Sequence, residues 1–316
     1  MANLDALIIG AGPAGLNAAL VLAQAQCSVL VIDAGEPRNA PAAHLRGFLT
    51  RDGMAPTELL ELGREEIARF GAQLRVGSVV DVQRDGEDFV LTLSDDSQVR
   101  APRVLVTTGL RDELPAIDGV AEQWGRGVAH CPFCHGYEVH GQAIGVIATS
   151  EMSVHQVQVV RQWSDNITYF THTQGELPPE QQEIFDARGI TVVHGEVVKV
   201  VSDGEQVTGV QLTDGTTVPS EAVFVATRMV PRDGLLAALG VEVADTPVGR
   251  FPVVDVLGGT NVPRVWAAGN VVDPQAQVIV SAAAGYRAAT AIVRDVIEAK
   301  TAADLERLRA GKSAGK

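Results

Sequence analysis

Short, wholly apolar runs bounded by glycine and polar turns recur along the chain, and stretches of helical period separate them. Residues 5–9 form one such run, which stops at Gly10-Ala11-Gly12-Pro13-Ala14-Gly15; residues 16–24 follow, rich in alanine and leucine. Residues 29–32 form a second apolar run, closing on Asp33. Strands that are apolar throughout belong to a parallel sheet covered on both faces, so the opening reads as a βαβ unit. A helix is predicted over 57–70. Strands are predicted over 76–82, 89–93 and 104–107, with turns at Asp85-Gly86 and Asp95-Asp96.

The same order then returns. Residues 144–148 read as a strand, 152–163 as a helix and 167–170 as a strand. A meander over 192–201 and 207–212 turns at Asp203-Gly204 and Asp214-Gly215, and 223–226 leads back to the core. The last part carries a strand at 265–267, a glycine turn and a helix from about Val280. The chain is thus a pseudo-repeat with hinges expected at 115–119 and 246–249. The charged, small-residue tail over 301–316 is expected to fray.

Composition narrows the function. The chain has 316 residues, 46% of them hydrophobic, which suits two domains with real cores. A net charge of -14 repels phosphates, which argues against nucleic acid and anionic membrane surfaces as partners. Three cysteines are too few for a secreted disulfide framework. The N-terminal residues lack a basic leader, and the apolar stretch over 14–32 is broken by Asn17, Gln24 and Gln26, so a cytoplasmic location is expected.

The glycine turn has the context that gives it meaning, between a strand and a helix. Gly10 permits the tight turn, Gly12 lets backbone approach a pyrophosphate, and Gly15 lets helix approach strand. The helix N-terminus presents free N–H groups to phosphate, Pro13 and Ala14 of the turn count with the glycines among the cofactor contacts, and Asp33 suits ribose hydroxyls. These residues bind a dinucleotide. Near the other end, Gly269-Asn270, followed by Gln277 and Val278, resembles the second FAD signature of flavoproteins with two dinucleotide folds, with Asn270 at its usual aspartate position. An amide there can still hydrogen-bond a ribityl or phosphate oxygen, without charge. The helix that follows would aim its N-terminus at the flavin pyrimidine. Thr107-Thr108-Gly109 resembles the glycine-bearing crossover of the same proteins, with Thr108 and Gly109 as cofactor contacts.

Cys131-Pro132-Phe133-Cys134-His135-Gly136 is the most informative hexapeptide. Two cysteines so spaced beside βαβ units read as a redox dithiol, whose sulfurs can close a small ring. A zinc site needs four ligands; His130, His135 and His140 with the cysteines could formally supply them, but there is no second Cys-x-x-Cys. Cys27, among apolar strand residues, reads as a buried spectator.

Together these motifs resemble the low-molecular-weight thioredoxin reductases over nearly the whole chain. The resemblance implies an α/β fold of two dinucleotide-binding, Rossmann-like domains of the FAD/NAD(P) three-layer type, the second inserted in the first. The FAD-binding domain would be 1–115 with 247–316; residues 116–246 would form a nicotinamide-type domain carrying the dithiol. It also implies a homodimer. The glutathione-reductase branch fits worse, since it sets its dithiol near the N-terminus and adds a C-terminal domain.

The departures from that family concern the second nucleotide site. The turn after 144–147 reads Ala148-Thr149-Ser150-Glu151-Met152-Ser153, with Ala148 and Ser150 at glycine positions and Glu151 adding repulsion. Thr171-His172-Thr173 stands where the family has arginines for a 2′-phosphate, and Arg228 where it has glycine. NADP(H) is therefore poorly suited. His135 replaces the family's usual aspartate, and Cys-x-x-Cys-His-Gly-Tyr-Glu is similar to thioredoxin-reductase-like dithiol oxidases, including those closing gliotoxin- and holomycin-type disulfides.

The resemblance implies that Cys134 is the flavin-proximal sulfur and Cys131 the outer, substrate-exchanging one. His135 would move the proton, since imidazole titrates near neutral pH; its bland reading is a turn residue bonded to backbone. His130 is a second candidate for that task, and Tyr137 and Glu138 read as structural. The expected function is FAD-dependent dithiol oxidation on a small dithiol or a thioredoxin-like protein. Alternatives are an NADPH-dependent thioredoxin or small-disulfide reductase and a flavin- or zinc-binding regulatory module without turnover. No sequence feature argues for ferredoxin.

Overall fold

The computed structural model describes residues 4–314. The chain divides into two compact units: Met1–Arg38, Thr57–Arg111 and Met229–Lys316 form one, Asn39–Pro56 and Asp112–Arg228 the other. The chain thus leaves the first unit twice.

The first unit is built on five parallel strands in the order Val265–Ala267, Val104–Val106, Ala6–Ile9, Val29–Asp33, Gln73–Val76. Successive side chains alternate between faces, and both faces are buried. Ala6, Ile8, Val29 and Val31 join a core with the helices Pro13–Gln24 and Val278–Ala314. Leu7, Ile9, Leu30 and Ile32 face a second core, completed by Val82, Phe89 and Leu91 of the antiparallel sheet Val79–Asp85, Asp88–Leu93, Gln98–Ala101. The result is helix, parallel sheet, small antiparallel sheet.

The second unit repeats this layering. Its parallel strands run Ile190–Val193, Ile167–Phe170, Ile144–Ile147, Ala222–Val225, Val128–Ala129. Ile144, Val146 and Tyr169 pack with Val157, Val160 and Phe185 of the helices Met152–Val160 and Pro179–Ala187. Ile147, Val223 and Val225 face Val200, Val207 and Val210 of the meander. Two three-layer dinucleotide folds, one inserted in the other, are the architecture expected from sequence.

Several elements differ from expectation. The run at 76–82 is two strands, because Gly77 interrupts it and donates its N–H to the Asp33 carbonyl (2.9 Å). The run at 192–201 likewise splits at Gly195 (φ +123°) into a parallel edge strand and a meander strand. The hinge expected at 246–249 is instead a hairpin, Val243–Thr246 with Gly249–Pro252, and the chain passes back to the first unit earlier, at Arg228/Met229. The tail does not fray through its described part. Val278–Ala314 is one helix of 37 residues, carried through 301–314 by good helix formers and an Asp304–Arg307 ion pair. Among the described residues no helix is long and apolar enough to cross a membrane.

Candidate functional site

The glycine turn of the first unit assigns its three glycines to different tasks. Gly10 has φ +102°, and a Cβ there would come within 2.5 Å of the Thr107 carbonyl oxygen. A Cβ on Gly15 would overlap the Gly10 carbonyl and lie 2.7 Å from Thr107 Oγ1. Both glycines therefore serve packing. Gly12 is different: a Cβ there would meet no protein atom within 4 Å. It opens onto free space just where the helix Pro13–Gln24 begins, with unsatisfied N–H groups and the positive end of its dipole. That open cradle fits a dinucleotide pyrophosphate.

Asp33 closes the turn. Its Oδ1 accepts the Ala11 N–H (2.9 Å), and Arg64 Nη2 lies 3.4 Å from Oδ2. Thr107, which sequence reading did not single out, does more here than its neighbour: its hydroxyl lies 3.0 and 2.8 Å from the carbonyls of Ile9 and Gly10. Thr108 instead donates to the Arg232 carbonyl (2.7 Å), and Gly109 accepts the Arg232 N–H. At the far end, Gly269 adopts φ +80° and starts a short 3₁₀ turn. Asn270 Nδ2 donates to the carbonyls of Asp273 and Ala276 (2.9 and 3.0 Å), and its Oδ1 accepts from Arg38 Nη1 (3.3 Å). Asn270 thus shapes the loop leading to Gln277 and Val278, where the long helix begins. That helix reaches Ala14 through Gly285, where any Cβ would overlap the Ala14 carbonyl.

The corresponding turn of the second unit is sealed from within. Register of the two repeats puts Ala148, Ser150 and Ser153 at the positions of Gly10, Gly12 and Gly15. Ser153 is fully buried, and its Oγ accepts the N–H groups of Thr149 (3.2 Å) and Ser150 (3.4 Å). These are backbone donors of the kind a pyrophosphate would use. Thr149 Oγ1 donates to the Ala226 carbonyl (2.8 Å). His172, in the position of the family's arginines, accepts the Val197 N–H on Nδ1 (3.0 Å), and burial lowers its pKa.

The dithiol lies in the second unit. Cys131 and Cys134 are joined as a disulfide, with Cα atoms 5.3 Å apart, around the single helical turn Pro132–His135. Cys131 is 8% exposed and Cys134 somewhat more. His135 follows at once. Its buried ring nitrogens make no hydrogen bond of full geometry; burial pushes its pKa below the usual value, against the pull of the Glu138 carboxylate and of the nearby Cys131 backbone. An imidazole beside the cysteine pair can take a thiol proton. His130 is held differently: its ring stacks on Trp124 (5.8 Å) and its carbonyl accepts from Gln156 (2.7 Å). Among the described residues no three or more His, Cys, Asp or Glu side chains are grouped to hold a metal.

Sequence reading missed what surrounds this turn. Arg46, from the excursion Asn39–Pro56, contacts Glu138 (2.7 Å) and Asp52 (2.9 Å), with its guanidinium carbon 5.0 Å from the Tyr137 ring centre. Trp163 meets Phe133 edge-on (5.5 Å) and packs so closely on Gly136 that a Cβ there would be 2.6 Å from the indole. No local pattern marks an arginine in a polar loop some 85–90 residues before the dithiol as part of its surroundings.

Residues 4–290 match the family described as pyridine nucleotide-disulphide oxidoreductase. The crystal structure of HlmI is 46% identical with a TM-score of 0.92, and the match covers 96% of each chain. The thioredoxin reductase tcpT of Claviceps purpurea is 29% identical over 84% of this chain and 86% of its own. The thioredoxin reductase sirT of Leptosphaeria maculans is 28% identical over 91% and 93%.

Proposed function

The chain belongs to the pyridine nucleotide-disulphide oxidoreductase family, thioredoxin reductase-like enzymes that bind FAD, and from that premise we propose that it oxidises dithiols without nicotinamide. The observation that carries this reading is the serine-capped turn of the second unit. Ser153 Oγ accepts the Ser150 N–H, the counterpart of the Gly12 N–H in the open cradle, and no arginine stands where a 2′-phosphate would be read.

The chemistry follows from the cysteine pair. A substrate thiolate attacks Cys131 Sγ; the Cys131–Cys134 bond breaks and Cys134 leaves as thiolate. The second substrate thiolate then attacks the substrate sulfur of that mixed disulfide. The substrate leaves oxidised, and Cys131 is released as thiolate with two electrons now on the pair. His135, next to Cys134 in the chain, takes one of the two thiol protons and the other goes to solvent. The cradle at Gly12, Asp33 and the loop around Asn270 would hold FAD, which when bound supplies the two-electron acceptor that recloses the disulfide, with dioxygen as terminal oxidant reduced to hydrogen peroxide. The choice of Cys131 as the attacked sulfur rests on family resemblance; the exposures of the two cysteines run the other way. A homodimer in the cytoplasm is part of the same proposal.

The relatives named thioredoxin reductase favour a second reading, reduction of thioredoxin by NADPH. Anaerobic mixing of the holoenzyme with NADPH or with dithiothreitol separates them. Bleaching of the flavin by dithiothreitol alone is expected. Rapid bleaching by NADPH overturns the nicotinamide-independent reading.

A further inference from the structure

Beside the dithiol turn, the second unit holds an open cleft of about 290 Å³ lined by Arg46, Asp52, Phe133, Tyr137 and Trp163. Phe133 lies between the two cysteines in the chain and Tyr137 three residues beyond Cys134, so the cleft adjoins the dithiol turn, although neither cysteine lines it. Phe133 and Tyr137 are 68% and 64% exposed, unusual for aromatic side chains with no apolar cover. Phe133 and Trp163 meet edge to face in the wall of the cleft. A closed cavity of about 150 Å³ holds benzene, so an open cleft of this volume has room for a ring.

Its charge is equally specific. Arg46 is the one cation in the lining, and it is spent: Nη2 is 2.7 Å from Glu138 Oε1, Nη1 is 2.9 Å from Asp52 Oδ2, and its face covers Tyr137. The Gly47 N–H (2.8 Å), and then Arg46, hold the Asp52 carboxyl below the usual carboxylate range, so it stays ionised at neutral pH. One guanidinium between two carboxylates leaves a net negative rim.

We propose that this cleft is a ring-binding, charge-selective substrate site: it seats the planar ring of a small uncharged dithiol and rejects carboxylate-bearing thiols through Asp52 and Glu138. The proposal rests on the dithiol-oxidation reading and adds to it the class of substrate and the residues that select it. The ring stacks against Phe133 and Trp163 while its thiols exchange with the cysteine pair by the steps given above. A carboxylate on the same ring would face Asp52 and Glu138, with no cation but the engaged Arg46 among the described residues lining the cleft.

The test uses the holoenzyme and two matched probes, 1,2-bis(mercaptomethyl)benzene and its ring carboxylate, 3,4-bis(mercaptomethyl)benzoate, with dithiothreitol and reduced thioredoxin as references. The rate constant for anaerobic flavin bleaching is expected to be at least about tenfold larger for the uncharged ring than for its carboxylate twin, and larger than for dithiothreitol. In Asp52→Asn combined with Glu138→Gln the gap between the twins should close to within about threefold. Equal rates for the twins in the wild-type enzyme, or faster bleaching by reduced thioredoxin than by any small dithiol, overturn the proposal and leave dithiol oxidation standing. Failure of every dithiol to bleach the flavin overturns dithiol oxidation itself. Binding is read independently with the cyclic disulfide 1,4-dihydro-2,3-benzodithiine. It should quench tryptophan fluorescence in the wild type and not in Trp163→Phe; equal quenching in both removes the site whatever the kinetics show.

Discussion

Gly12 and Gly15 stand three residues apart in one turn, yet alanine at each should fail in opposite ways. At Gly15 the new Cβ would overlap the Gly10 carbonyl and sit 2.7 Å from Thr107 Oγ1, itself bonded to the carbonyls of Ile9 and Gly10. None of these atoms ends a flexible side chain, so the turn itself must move. Overpacking of this kind costs about 1–3 kcal/mol. For a unit of this size that lowers Tm by roughly 2–12 °C, with or without cofactor. At Gly12 the Cβ meets nothing in the protein, and the backbone (φ −73°, ψ −176°) is open to alanine. Stability of the apoprotein should change by less than about 0.5 kcal/mol. The same methyl instead occupies the space assigned to the pyrophosphate. A similar clash of about 1–3 kcal/mol would then weaken FAD binding roughly 5- to 150-fold. Thermal melts of the apoproteins and FAD titration by fluorescence quenching read the two effects separately. If Gly12→Ala melts as low as Gly15→Ala, or binds FAD as tightly as wild type, the cradle is not where the phosphates lie.

Single serine replacements decide which sulfur meets the substrate: given the cyclic disulfide form of a substrate, whose S–S bond the remaining thiolate opens by exchange, Cys134→Ser accumulates the mixed disulfide by mass spectrometry if Cys131 is the outer sulfur and Cys131→Ser does not, and the reverse pattern exchanges the two roles. Burial lowers the pKa of both His135 and His172 below the ordinary 6.5, so the unfolded chain binds more protons below that pH. Their contribution to stability is therefore complete above about pH 6.5 and is lost as pH falls toward the folded values; His172→Asn should flatten that slope in denaturant titrations, and an unchanged slope rejects the assignment. Ser153→Ala strips the acceptor from the Thr149 and Ser150 N–H groups and should cost about 1 kcal/mol in thermal melts, whereas no change would mean the cap carries no weight.

The fold was legible because its signals are local. Continuous apolar strands, a glycine turn and an acid at the next strand end need no knowledge of distant chain, and the repeat of that order announced the second unit. Elements were misjudged where a single glycine divides one apolar run into strands of different sheets, as at Gly77 and Gly195. The glycine and cysteine positions were legible for the same local reason. Arg46 was not, since its role depends on an excursion that reaches the dithiol segment through folding alone. Thr107 was passed over for Thr108 because both hydroxyls look alike in sequence, and only the strand's direction decides which one touches Gly10.

The two units form an internal comparison of one fold with and without an open phosphate cradle. A cradle of free amides is costly to keep unless a ligand fills it, since buried N–H groups without acceptors lose about 1–3 kcal/mol each. In the first unit, Gly15 gives helix and strand their close approach while Gly12 leaves the space open. In the second, Ser153 at the Gly15 position turns its hydroxyl back onto the Ser150 amide, the counterpart of Gly12, and onto that of Thr149, whose counterpart Ala11 is held by Asp33 in the first unit. The layered cores on either side of the sheet, from Val146 and Phe185 to Val200 and Val210, owe nothing to a nucleotide. On the proposed nicotinamide-independent reading, the fold outlasts the loss of its site. Nor would restoring one glycine rebuild it, because His172 spends its Nδ1 on the Val197 N–H where a cation would have to stand. On that same reading, what the second unit keeps is the scaffold that holds Cys131, Cys134 and His135, the part the proposed chemistry needs.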